Sequence, residues 1–229
     1  MNKILAFDTS NNSCSVAISY GQNIVAYVEE LRPSMQAERL ISMIEEVLLE
    51  AKLEYRDLDY LALTKGPGSF TGIRIGLAAA KGILLASGIK GLSVTNFEIA
   101  YYRARAQIAN YDKIYTFINA FKNQLYMQVF DKKSIIVEPA LVDFDQAINI
   151  LNSEDRNIIC TGSGLELIYQ KVKDNVNVIF LPRFSRIKAI HICRYANDLI
   201  AQDKLDNISM QNHSMEPLYI RPPDAKVSQ

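Results

Sequence analysis

The sequence predicts a two-lobed α/β fold, each lobe a mixed sheet with flanking helices. Three observations carry this. Short apolar runs with strand-like alternation open the chain and recur after residue 112. Behind each opening, segments of helical period alternate with single short strands. Apolar residues make up 49% of 229, enough to bury a core in one large domain or two modest ones.

Residues 4–7 are apolar and end in Asp8-Thr9-Ser10-Asn11-Asn12, a buried strand entering a polar turn. Residues 14–20 alternate Cys14, Val16, Ile18 and Tyr20 with small polar residues, so they form a half-buried strand. The chain turns at Gly21-Gln22-Asn23 and returns over 24–29 as the third strand of a meander. A helix follows over 36–53, where Leu40, Ile44, Val47, Leu48 and Ala51 share one face, with Ser34 and Glu38 as expected caps. Residues 58–64 give a fourth strand, 71–87 a second helix closed by Gly88, and 91–94 a fifth strand. Asn96 is the expected cap of a third helix ending near 107.

The second half repeats this order. Strands are expected over 114–119, 124–131 and 134–142, a helix over 143–151, a strand over 157–160, a helix over 164–171, a strand over 176–181 and a helix over 187–202. The tail after Lys204, with Pro217, Pro222 and Pro223, is expected to be extended or partly disordered. The lobes are expected at residues 1–104 and 105–229. Two meanders, each followed by alternating helices and strands, give the element order of the actin-like, sugar-kinase-like ATPase (ribonuclease H-like) architecture. There an acidic residue ends the first strand and nucleotide lies between the lobes; Asp8 stands at that position.

Composition excludes several classes. Lys and Arg balance Asp and Glu at 25 each, whereas a protein that grips nucleic acid unaided carries a strongly basic domain. Any RNA contact is therefore expected to be shared with another protein or confined to a small patch. Cys14, Cys160 and Cys193 are too scattered for a disulfide framework or zinc ribbon and fit a reducing compartment. Asp8 interrupts any signal-peptide core, and the longest apolar stretch, near 83–86, is short for a bilayer, so a cytoplasmic protein is expected. His191 and His213 are the only histidines. His191 and Cys193, two apart on a helix, point in different directions and are read as structural.

Lys65-Gly66-Pro67-Gly68-Ser69-Phe70-Thr71-Gly72 is a glycine-rich turn feeding a helix. It lacks the Gly-Lys-Ser/Thr of a Walker loop, so a structural turn is favoured over a phosphate cradle. Gly72, Gly76, Ala79, Ala80 and Gly82 recur three or four apart beyond it. An interior helical Gly costs about 1 kcal/mol relative to Ala, so Gly76 and Gly82 imply that something approaches the backbone closely. Packing inside the lobe and packing across an interface are both open on that ground. Asp8, Thr9 and Ser10 either hold a metal-bound phosphate or close their own turn; the turn is favoured. Thr161-Gly162-Ser163-Gly164, with Gly162 and Gly164 freeing amides, is the phosphate-loop candidate of the second lobe. Arg183-Phe184-Ser185-Arg186-Ile187-Lys188 is either a phosphate contact with a stacking ring or a solvated helix start.

ILAFDTSNNSCSVAI, QAERLISMIEEVL and LALTKGPGSFTGIRIGLAAAKGI together resemble the TsaB (YeaZ) family, almost continuously from residue 3 to about 100. The second half is looser, at 118–126 and 216–221. The resemblance implies a non-catalytic subunit of the machinery that makes threonylcarbamoyladenosine in tRNA, next to the anticodon in tRNAs reading codons that begin with A. Its partners would be TsaD, the catalytic paralogue, and TsaE, an ATPase; the TsaD-binding surface also forms a homodimer. That surface maps to both first-lobe helices, with Gln36, Leu40, Met43, Gly72, Arg74, Ile75, Gly76, Ala79 and Ala80 as the implied contacts, and it favours the interface explanation of the glycines. ATP or ADP would lie at the partner interface, and tRNA would be met through the complex. The alternative is a stand-alone ATP-binding enzyme of the sugar-kinase-like class, using Asp8, Thr9, Ser10, Gly162 and Gly164. Two departures stand out. Asn119-Ala120-Phe121-Lys122 replaces the family's Asp-Ala-Arg, and Met35-Gln36 stands where relatives place a His. TsaD holds a metal through a His-x-x-x-His pair on its first long helix, and residues 36–53 here contain no His.

Overall fold

The computed structural model describes residues 1–32, 34–172, 175, 177–182, 186–203 and 215–221. In chain order the first half gives β1 (Lys3–Asp8), β2 (Cys14–Tyr20), β3 (Asn23–Glu30), α1 (Gln36–Ala51), β4 (Tyr60–Thr64), α2 (Phe70–Ser87), β5 (Lys90–Val94) and α3 (Asn96–Arg105). The second gives β6 (Lys113–Asn119), β7 (Gln124–Phe130), β8 (Ile135–Asp143), α4 (Phe144–Asn152), β9 (Ile158–Thr161), a single turn α5 (Tyr169–Val172), β10 (Val178–Phe180) and α6 (Ala189–Ala201).

The two sheets have five strands each, ordered β3-β2-β1-β4-β5 and β10-β9-β6-β7-β8. Counted from the start of each half, and with the second sheet taken from its β8 edge, both read third, second, first, fourth, fifth. In each, the meander is antiparallel and the later strands are parallel. The expected actin-like, sugar-kinase-like two-lobed architecture is thus present, and the repeat seen only as element order is a repeat of topology.

Strand alternation divides the first sheet cleanly. Leu5, Phe7, Leu61 and Leu63 face one side and pack under α1 and α2. Ile4, Ala6, Ala62 and Leu92 face the other and pack under α6 through Ile192, Cys193 and Ala196. Packing crosses residues 104–105 in both directions. α6 and Met215, from the second half, complete the first lobe's two cores, while α3 lies against β6 and β9.

Several local expectations are corrected. α1 has no side-chain N-cap: Met35 occupies the cap position, and Ser34 is left-handed at φ 66°. Thr95, not Asn96, caps α3, in a reciprocal box with Glu98; Asn96 is the first helical residue and is buried. Residues 58–59 fall outside β4 and follow a 3-10 turn at Tyr55–Asp57. The helix expected over 164–171 breaks into a 3-10 turn, Leu165–Leu167, and α5. α2 is long and apolar enough to cross a membrane by length and composition, which a search for charge-free runs missed because Arg74 and Lys81 interrupt it. Its Ile73, Leu77, Ala80 and Leu84 instead pack into the first core. Pro222, Pro223 and His213 lie outside the described residues.

Candidate partner-binding face and interlobe cleft

The glycine turn holds α2 against the end of β1. Ser69 accepts from the Gly72 amide (3.2 Å) as the N-cap, and its own amide donates to the Ser10 carbonyl at 2.7 Å. Gly66 is left-handed at φ 101°. A Cβ on Gly72 would sit 2.0 Å from the Thr9 carbonyl oxygen, and one on Gly76 would sit 2.4 Å from Thr9 Oγ1. The Thr9 hydroxyl donates to the Gly72 carbonyl at 2.8 Å. Close approach within the lobe therefore accounts for these two glycines, correcting the preference for an interface. Gly82 differs: nothing lies within 4 Å of its Cβ position.

Of the implied contacts, Gln36, Leu40, Met43, Gly72, Gly76 and Ala80 are buried in the chain itself and present no surface to a partner. Gln36 donates to the Asn11 carbonyl at 2.9 Å instead. Ile75 and Ala79 are half-buried, and Arg74 is exposed. α2 in fact carries two small-residue stripes. Gly72, Gly76 and Ala80 line the inner one, and Ala78, Gly82 and Ala86 the outer one. Around the outer stripe stand Leu85 (86% exposed) on α2 and Ile41 (46%) and Leu49 (81%) on α1. Helical periodicity alone could have separated the stripes, but small residues at 79 and 80 blurred them.

Asp8 is buried, and its carboxylate is enclosed by donors. Oδ1 accepts from the Ser10 hydroxyl (2.6 Å), the Thr64 hydroxyl and the Ser10 amide, and Oδ2 from Asn11 Nδ2 (3.1 Å). Burial still raises its pKa above the usual carboxylate range, against those donors. Ser10 in turn accepts from Asn96 Nδ2 at 2.7 Å. Asp8 and Ser10 thus close their own turn, while the Thr9 hydroxyl is spent on α2.

The cleft beside it, about 300 Å³, is lined by Ser10, Asn11, Ser13, Gly68, Asn119 and Ser163, with Arg186 at its edge. Across it, Gly162 is left-handed at φ 108°, and a Cβ there would lie 2.2 Å from the Phe117 carbonyl oxygen. The Gly164 amide donates to that carbonyl at 2.9 Å, and no regular helix starts behind it. The turn is packed onto β6, its amide spent on protein. That amide is not free for a phosphate, and neither Gly162 nor Gly164 lines this cleft.

A second cleft, about 640 Å³, opens between the α2 entry, the β6–β7 turn and residues 218–221. Arg74 lies 3.8 Å over the Phe70 ring, and its Nε donates to the Tyr219 hydroxyl at 2.8 Å. The Leu218 amide ties this segment to the Lys65 carbonyl at 2.8 Å. Asn119 caps the β6–β7 turn by accepting from the Phe121 amide. Phe121, Lys122 and Asn123 are all left-handed, and this leaves Phe121 54% exposed at the rim of both clefts.

Arg183, Phe184 and Ser185 lie outside the described residues. Arg186 and Lys188 both pair with Glu29, at 3.3 and 3.0 Å, so one carboxylate offsets one of their two charges. His191 Nδ1 accepts from the Lys188 amide at 3.0 Å; burial, then Arg103, Lys188 and Arg194, push its pKa down to about 3. Burial pushes the Cys193 thiol up to about 12. Among the described residues no three of His, Cys, Asp and Glu are grouped to hold a metal.

The buried Asp8 charge works against folding. A carboxyl whose folded pKa is raised gains stability as pH falls through that pKa, because the folded state then binds the proton more readily than the unfolded one. Asp8→Asn is therefore expected to raise the thermal midpoint at pH 7, with the gain shrinking as pH is lowered. Melts of both proteins across pH check this; a lower midpoint for Asp8→Asn at pH 7 would refute it.

A family model described as TsaD, tRNA N6-adenosine threonylcarbamoyltransferase, matches residues 34–225. Among curated proteins, the chain is 26% identical to the tRNA threonylcarbamoyladenosine biosynthesis protein TsaB of Haemophilus influenzae, over 95% of this chain and 93% of that one. It is 27% identical to TsaB of Bacillus subtilis over 75% of each. Among solved structures, YeaZ from Pseudomonas aeruginosa superposes with a TM-score of 0.76 at 22% identity, covering 96% of this chain and 100% of that one. The motifs of the first hundred residues, the paired sheets and these matches agree: the chain belongs to the TsaD threonylcarbamoyltransferase family, in its TsaB (YeaZ) group.

Proposed function

We propose that this chain is a non-catalytic subunit of the complex that installs threonylcarbamoyladenosine next to the anticodon of tRNAs reading codons that begin with A. It binds and activates TsaD through the outer face of α1 and α2, works with TsaE in the cytoplasm, and meets tRNA within the assembly. The same face serves a homodimer when TsaD is absent. One observation carries the reading: α1 and α2, the two longest helices among the described residues, present Ile41, Leu49, Ala78, Gly82, Leu85 and Ala86 outward beside Glu45 and Lys81, with a bare helix backbone at Gly82. The relatives' names support the pathway, and the hydrogen-bonded side chains around Asp8 support a reading in which another subunit carries the chemistry. The bond of the Gly164 amide to the Phe117 carbonyl counts against the stand-alone enzyme reading, which would use Asp8 with that turn. Size-exclusion chromatography with the cognate TsaD, with and without ATP, tests it. Co-elution is expected; separate elution in both conditions, or threonylcarbamoyl transfer by this chain alone, would overturn it.

A further inference from the structure

A strip of tyrosines and cations gathers where α3, α6 and the β7–β8 turn meet. Arg105, at the end of α3, lies 5.4 Å over the Tyr101 ring and 5.7 Å over Tyr102. Tyr102 meets Tyr195 of α6 at 5.0 Å, and Tyr101 stacks on Phe130 at 4.4 Å. Lys132, in the β7–β8 turn, stands 5.3 Å over Tyr111, which itself neighbours Tyr101 and Arg105. Arg194, on the exposed side of α6, lies close enough to Tyr102 and His191 to act on both electrostatically.

Among the described residues the ion pairs lie outside this strip. Arg186 and Lys188 share Glu29, and Lys113 pairs with Glu154. Among the described residues no carboxylate lies within ion-pair distance of Arg105, Arg194 or Lys132. Two carboxylates lie inside the strip: Asp198 already accepts from the Tyr102 hydroxyl and the Gln22 amide, both at 2.6 Å, and Glu98, beside Tyr195, accepts from the Thr95 amide at 2.6 Å. Asp131, at its other end, is spent on the amides of Lys133 and Ser134. A guanidinium laid over tyrosine rings is held in place while keeping its N–H donors for an outside acceptor. Exposed cations held over half-buried aromatic rings suit the phosphate oxygens of a nucleic-acid strand. A neutral chain gives no general attraction to polyanions, so whatever RNA contact it makes is localised to such a strip.

We infer that Arg105, Arg194 and Lys132, with Tyr101, Tyr102 and Tyr195 between them, form a direct RNA contact surface. It takes the tRNA strand while α1 and α2 hold the protein partner. α6 and the α1–α2 pair pack on opposite faces of the first sheet, so the two engagements do not compete. The inference rests on the proposed function only for the identity of the RNA.

The test is a fluorescence-anisotropy titration of a labelled tRNA transcript with the full-length chain alone, at several salt concentrations. It compares wild type with the triple variant Arg105→Ala, Arg194→Ala, Lys132→Ala. The variant is expected to bind about tenfold more weakly, with the slope of log affinity against log salt flatter by about 2. All three side chains are exposed, and equal melting temperatures check that the fold is kept. Unchanged affinity and slope in the variant, or no tRNA binding by wild type at low salt, would overturn the inference. Co-elution of the variant with TsaD is read separately: its loss would count against the separation of the two surfaces. Failure of wild type to co-elute sinks the partner reading without touching the titration.

Discussion

Gly72→Ala is expected to destabilise the chain by about 3 kcal/mol or more, enough to leave little folded protein at 37 °C. The added methyl would lie 2.0 Å from the Thr9 carbonyl oxygen and 3.1 Å from its carbon. Both belong to backbone, so no rotamer relieves the clash. Nor can α2 slide away. Its first turn is tied to the β1 turn by the Ser69 amide on the Ser10 carbonyl and by the Thr9 hydroxyl on the Gly72 carbonyl. Gly76→Ala is expected to cost less, about 1–2 kcal/mol, because its nearest neighbour is the Thr9 hydroxyl, which can turn aside by giving up that bond. Gly82→Ala is expected to go the other way, gaining about 0.5–1 kcal/mol of helix propensity, since its Cβ would enter open space. Chemical denaturation of the three variants checks the order; a Gly72→Ala protein as stable as wild type would refute the packing argument.

These three glycines also show how far the sequence could be read. The element order was legible because strand alternation and helical period are printed in the residue types: β2 and the start of α1 fall where the pattern puts them. Caps were less legible. Thr95 and Asn96 are both good caps, and only the fold shows that Asn96 is needed to bridge Ser10 and the Pro67 carbonyl. Element order also could not show that α6 would cover the first sheet, since helix–sheet docking joins residues nearly 190 apart, as in Cys193 against Ile4. The candidate site was half legible. A glycine in a helix announces a close approach but not to what, and Gly72 and Gly76 turn out to face Thr9 while Gly82 faces solvent. The tyrosine–arginine strip was hidden for a related reason: Arg105, Lys132 and Arg194 come from three separate elements.

The geometry also decides how the partner face must be tested. Gly76→Leu, the substitution a sequence argument would choose, places a branched side chain against Thr9 and Phe7, so a lost complex would follow from a damaged fold. Leu85 is 86% exposed and Ala78 lies on the same outward side, so Ala78→Glu with Leu85→Glu alters the face without entering the core. This double variant is expected to melt like wild type and to bind TsaD at least about 100-fold more weakly. Two carboxylates would be desolvated in an apolar contact with nothing to pair them. Because a homodimer would use the same surface, the variant is also expected to run as a monomer at concentrations where wild type self-associates. Folded protein that still co-elutes with TsaD at wild-type strength would remove α2's outer stripe from the interface. Loss of self-association alone, with TsaD binding intact, would separate two surfaces that the single-face reading treats as one.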